Sequence, residues 1–160
     1  MATVERERVV RVEGERPLGS YGVLMGAFSL VFGGGIAVAG ATGRLPRRLP
    51  LADVALIGVA GHKVARLVAK DKVTSPLRAP FVEPVVEDGE LEDEPTGTGM
   101  QRALGQLVTC PRCVGQWACA GFVLGTLYSP RATRAVAAMF AADAVSDFLH
   151  VAFRAADERA

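Results

Sequence analysis

Apolar residues gather into four runs, separated by a short, a long and a second short polar stretch. Tyr21 to Gly43 passes 23 residues without a charge, enough for a helix to cross roughly 30 Å of hydrocarbon. Gly22/Gly26 and Gly35/Ala39/Gly43 recur at four-residue spacing, which predicts a smooth face toward a neighbouring helix. The run Gly33-Gly34-Gly35 would weaken a helix in water and is tolerated in lipid. A proline-marked turn, RLPRRLP at 44–50, leads to the second run, Leu51–Lys70. That run is apolar from Val54 to Ala60 and then takes on His62, Lys63, Arg66 and Lys70. The third run follows Thr109-Cys110-Pro111-Arg112-Cys113, from Val114 to Tyr128, and the fourth is Ala132–Phe153.

These periods predict an all-α integral membrane bundle of four transmembrane helices. A charged N-terminal tail is expected at 1–20, the membrane domain at 21–156 and a C-terminal tail at 157–160. Glu5, Arg6, Glu7, Arg8, Arg11, Glu13, Glu15 and Arg16 give the tail little to bury, so it reads as solvated. Ala37-Val38-Ala39 and Ala39-Gly40-Ala41 resemble signal-peptidase sites. The long tail with balanced charge and the length of the apolar run argue for a retained first span instead.

Between the second and third helices, Pro76, Pro80, Pro84 and Pro95 interrupt any long helix. Pro76 and Pro80 are expected to hold Ser75 and Ala79 extended. From Glu83 to Glu94 there are seven acids and no base, so 82–99 reads as a flexible acidic loop. Met100 to Val108 forms a short amphipathic piece before the cysteines.

Half of the 160 residues are hydrophobic and only 6% aromatic, with 18 glycines, a composition suited to closely packed helices in lipid. A net charge of +1 supplies no basic field for nucleic acid. Three cysteines do not make a secreted disulfide framework. If all four runs cross, 11 Lys and Arg lie on the side of the tails and the acidic loop, against 5 in the two short turns. Positive charge favours the cytoplasm, so both termini and the cysteines are expected there.

Two constellations carry candidate chemistry. Cys110 and Cys113 sit at the start of the third helix, where the helix dipole and Arg112 favour a thiolate. They fit a redox pair, half a metal site, or two small structural residues. A structural zinc site needs four ligands, and the chain holds no second Cys-x-x-Cys, so no metal or cofactor is expected. Cys119, inside the apolar run, is expected to be inert. In the second constellation, Asp143 and Asp147 share one face of the last helix, and Lys63 and Arg66 share one face of the second. Counted from Leu51 and Arg131, the two sets reach the same depth. Parallel neighbours would then pair them, with His62 and His150 close by. The pairing is either a structural lock or part of an ion or proton path.

The stretches HKVARLVAKDKVTSPLRAPF (62–81), ALGQLVTCPRCVGQW (103–117) and AVSDFLHVAF (144–153) resemble a bacterial integral-membrane family, the domain of unknown function 1360 family. The resemblance implies a small multi-span membrane protein with no established activity or cofactor; some of its relatives are associated with sporulation. It also draws attention to 70–81, where Lys70, Lys72 and Arg78 are candidates for anionic lipid headgroups. In architecture alone, a four-helix bundle with a cysteine pair is similar to the quinone-linked vitamin K epoxide reductases. The leading functional expectation is a structural or interaction module whose partners are the lipid bilayer and another membrane protein or a second copy. The alternatives are a thiol oxidoreductase using Cys110 and Cys113, and an ion or proton carrier using Asp143 and Asp147.

Overall fold

A computed structural model describes residues 17–87 and 90–158. Most of the charged tail expected at 1–20, and the end of the one at 157–160, lie outside the described residues. The fold is mainly helical: α1 (Leu18–Ala41), α2 (Leu51–Lys70), a 3-10 turn (Lys72–Thr74), α3 (Ser75–Arg78), β1 (Val82–Glu87), β2 (Glu90–Pro95), α4 (Gly99–Thr109), α5 (Pro111–Tyr128) and α6 (Pro130–Asp157). By length and composition α1 and α6 can each cross a membrane. A third crossing is counted if α4 and α5, bent 82° from one another, form one broken span. Helix α2, with Asp53, Lys63, Arg66 and Lys70, falls outside that group.

Helix α2 is the centre of the bundle and packs between α5 and α6. Its buried seam consists of Ala60, Gly61, Lys63, Ala65 and Ala69. Small side chains let backbones approach closely, which compensates in lipid for the missing hydrophobic drive between helices. At Gly61 the approach is absolute, because Cys119 Sγ of α5 fills the place a Cβ would take. Cys119 is therefore a half-buried packing group. Helix α1 lies outermost and touches α5 and α4. Phe28 meets Trp117 edge-on at 5.1 Å, Tyr21 donates to Gln106, and Tyr128 donates to the Gly35 carbonyl at 2.6 Å.

Helices α2 and α6 run parallel. Near their starts Arg134 grips Asp53 in a two-pronged bond, Nε–Oδ1 3.0 Å and Nη2–Oδ2 2.7 Å. About ten residues further along each helix the second ionic contact forms, so the register is fixed at two heights.

At the other end of the bundle the chain builds a polar cap, and here the structure departs from the loop expected at 82–99. Strands β1 and β2 pair antiparallel in register from Val82↔Pro95 to Glu87↔Glu90, so the chain is not purely α-helical. Ser75 and Ala79 depart too: both precede proline, yet both are αR, at φ −47° and −46°. Pro76 stands in the first turn of α3, where its missing N–H is no loss. The Ala79 N–H bonds the Ser75 carbonyl at 2.8 Å, and Arg78 holds the turn from inside.

Candidate functional site

Three side-chain clusters stand out, one on α2, one at the start of α5 and one just beyond the end of α2, and each begins from local helix geometry. In the first, Lys63 emerges from the buried seam with 8% of its surface exposed. The four-residue spacing of Asp143 and Asp147 places both carboxylates on the face of α6 that meets it. Lys63 Nζ lies 2.6 Å from Asp147 Oδ2 and 3.1 Å from Asp143 Oδ2. The two carboxylates keep 55% and 54% of their side-chain surface, so the cation is buried while the anions face outward. Arg66 and His150 stand near enough to act electrostatically on Asp147. Beside the cluster a cleft of about 550 Å³ opens between α2 and α6, lined by His62, Arg66, Asp71, Phe148, His150 and Arg154 among others.

In the second cluster Cys110 is the N-cap of α5. Its sulfur takes the place a Ser or Asp oxygen usually fills, accepting the Cys113 N–H at 3.3 Å. Pro111 follows in the first helical turn, where no N–H is needed. The Cys113 thiol donates to Cys110 Sγ at 2.7 Å, and both cysteines are free. That separation is longer than a disulfide of about 2.05 Å, so the two thiols touch without a covalent bond. Burial raises the Cys110 pKa, but the hydrogen bonds from the Cys113 thiol and the Cys113 and Arg112 amides outweigh it. With the Arg112 charge they hold Cys110 below the ordinary thiol value. Among the described residues, no group of three or more His, Cys, Asp or Glu side chains is placed to hold a metal.

The third cluster centres on Arg78, 3% exposed. Its Nε bonds Asp93 of β2 at 2.7 Å. Its Nη1 bonds the Val68 carbonyl at 2.7 Å, the Asp71 carbonyl at 3.1 Å and Thr74 Oγ1 at 2.7 Å. With Nε and Nη1 bonded inward and the whole side chain enclosed, Arg78 acts as the internal tie of the cap, and a headgroup would have to displace these bonds to reach it. Lys70 and Lys72 remain exposed beside it.

The structure thus brings Lys63 together with Asp143 and Asp147, and places His62, Arg66 and His150 along the adjoining cleft. It also brings Cys110 to Cys113. Two ionic contacts went unread in the sequence. Asp53 and Arg134 each open a helix and look like ordinary end charges. Arg78–Asp93 depends on the hairpin, whose one signal was Asp88-Gly89 between VEPVVE and ELEDE, a dipeptide typical of two-residue hairpin loops.

Long apolar helices, a small-residue seam and inward-turned cations define a compact helical-bundle protein able to cross a membrane. The chain belongs to the family described as "Protein of unknown function (DUF1360)", whose model matches residues 56–153. All three stretches that carried the sequence resemblance lie within that range. The chain is also similar to the sporulation protein YjcA of Bacillus subtilis (strain 168), with 37% identity over 76 residues. The match covers 44% of this chain and 64% of YjcA, so the chain spans under two thirds of that relative's length. No solved structure matches the chain.

Proposed function

We propose that this protein is a four-span component of the bacterial cytoplasmic membrane that acts as a structural or interaction module, both termini facing the cytoplasm. Helices α1, α2, α5 and α6 are its spans. The observation that carries the reading is the outward face of α6. There Asp143 and Asp147 stay about half exposed on the side that also carries Val136 and Met139, 48% and 57% exposed. Apolar residues so bare suit lipid, but half-exposed carboxylates at mid-span are costly in hydrocarbon unless another protein covers them. Lys63 supports α2 as a span, because a buried partner for the α6 carboxylates lets a polar helix sit within the bundle. The same contact favours a lock over an ion carrier, since one lysine holds both acids.

Reporter fusions at the C-terminus and at the α5–α6 junction, Ser129, test the topology and should give opposite signals. Equal signals would remove one crossing, α2 first. Site-specific crosslinking from position 143 within the membrane should capture a protein. Capture of lipid alone would remove the interaction reading.

One observation favours a second reading, the 2.7 Å contact between Cys110 and Cys113. Cys110, as thiolate, would attack a disulfide of a partner protein, releasing one partner thiolate and forming a mixed disulfide. Cys113 would then displace the second partner thiolate and close the Cys110–Cys113 bond. The partner gains two electrons, and its thiolates take up protons from water and Cys113. Differential thiol labelling of intact cells before and after an oxidant decides the matter. A pair that stays reduced and reacts no faster than an ordinary thiol excludes it.

A further inference from the structure

We infer that the cleft between α2 and α6 at the cap end of the bundle is a binding site for an anionic phosphate ester, held between Arg66 and Arg154. The cleft is about 550 Å³, within the range of small-ligand sites. Its polar wall carries two guanidiniums and the imidazoles of His62 and His150. Among the described residues, none of these four makes a hydrogen bond or ion pair with another side chain. The buried cations nearby are already engaged, Lys63 by Asp143 and Asp147 and Arg78 by Asp93, while the exposed Lys70 and Lys72 lie outside the cleft wall. What remains free is therefore a set of donors, two of them planar forks suited to paired phosphate oxygens.

The carboxylates that oppose an anion here are Asp71, Asp143 and Asp147. Asp143 and Asp147 are both opposed by Lys63. Lys63 answers only one of their two charges, and Asp147, which shares the cleft wall with Asp71, also feels Arg66 and His150, so a singly charged diester suits the site better than a dianion.

The apolar remainder of the wall says which part of an ester fits. Ala144, Phe148 and Val151 line the cleft on α6, alongside the donors His150 and Arg154. Helix α2 ends at Lys70, and Arg154 lies in the last turn of α6, so the cleft opens where a headgroup layer would begin. A phosphodiester with an acyl-bearing glycerol would place its charge on the arginines and its tail against Phe148. Free phosphate could engage the same arginines without using the apolar wall.

Calorimetric titration of the full chain in a non-ionic detergent tests the site with three probes: short-chain phosphatidylglycerol, short-chain phosphatidylcholine and inorganic phosphate. Phosphatidylglycerol should bind, and phosphatidylcholine should bind about tenfold or more weakly, since it carries no net charge. Arg66→Gln with Arg154→Gln should weaken phosphatidylglycerol binding by about tenfold or more, and the Lys pair should restore part of it. Both arginines are exposed, so thermal melting of these variants should match that of the parent. Arg47→Gln with Arg48→Gln, at the opposite end, should change nothing. Inorganic phosphate that competes at the same arginines identifies a free anion as a ligand; phosphate that does not bind leaves the lipid headgroup. Equal binding of the two lipids, a double variant that binds as the parent does, or no binding by any probe overturns the assignment.

Discussion

The bundle holds its buried cation loosely and the cap holds its own tightly. In the bundle, Lys63 meets Asp143 and Asp147, two acids on one face of one helix, either of which can answer it. In the cap, Arg78 has a single carboxylate, Asp93, and its remaining donors are taken by main-chain and hydroxyl oxygens of 68–75. Their surroundings differ as well. Asp93 keeps only 24% of its side-chain surface, against 55% and 54% for the two α6 acids. An ion pair with a duplicate, half-open partner tolerates a lost charge. One with a single enclosed partner leaves an uncompensated cation among carbonyls when that partner goes.

The largest effect expected from this contrast is at Arg78. Replacing it with Ala frees the end of α2, α3 and the hairpin together, at a cost of about 3 kcal/mol, read as detergent-resistant folded fraction on chemical denaturation. Asp93→Ala should come close to it, because the guanidinium stays behind unpaired. If both changes are nearly silent, the cap is not held from Arg78.

Next comes Gly105 of α4, where a Cβ would stand 2.5 Å from the Phe81 carbonyl and 3.0 Å from Pro95 Cβ. A backbone oxygen cannot swing aside as a side chain can, so Gly105→Ala should cost about 1–3 kcal/mol. Hydrogen exchange should localise the damage to β1 and β2. Damage confined to the bundle would sever the link between α4 and the hairpin.

The lysine cluster should respond more mildly, and in a non-additive way. Asp147→Asn or Asp143→Asn alone leaves Lys63 one carboxylate. The two together strand it, and should lower the melting temperature by more than the sum of the single changes. Strict additivity would show that Lys63 depends on only one of them.

The smallest effect is chemical. With the Cys113 thiol and two amides bonded to its sulfur, Cys110 sits below the ordinary thiol value. Its alkylation rate should therefore rise with pH earlier than that of a free cysteine. Removing one donor with Cys113→Ala destabilises the thiolate and moves the rise to higher pH, whereas Cys113→Ser keeps a donor and moves it less. A profile unchanged by Cys113→Ala would show that the thiol contact does not matter to Cys110.

Much of the bundle was legible from the chain alone, because helical periodicity is a local property. Four-residue spacing put Asp143 and Asp147 on one face, and equal depth along parallel helices brought them to the level of Lys63. The small-residue spacing was read in α1, where Gly35 does meet Leu124 of α5 but Gly22 and Gly26 face open space; the seam of α2 was not read. Cys110 and Cys113 were bound to be neighbours wherever a helix began after Pro111. The cap was decided only by tertiary structure. Seven acids in a row of polar residues look solvated, since nothing local says that Arg78 will draw Asp93 in. Once β2 is anchored by that bond and by Pro95 against Gly105, the hairpin closes on a few main-chain bonds that composition argued against. Proline statistics likewise favoured extended Ser75 and Ala79, until the buried guanidinium made the tight turn the cheaper arrangement. Asp53–Arg134 and the cleft between Arg66 and Arg154 belong to the same class. Each joins residues more than eighty positions apart, and only the docking of α2 on α6 makes them neighbours.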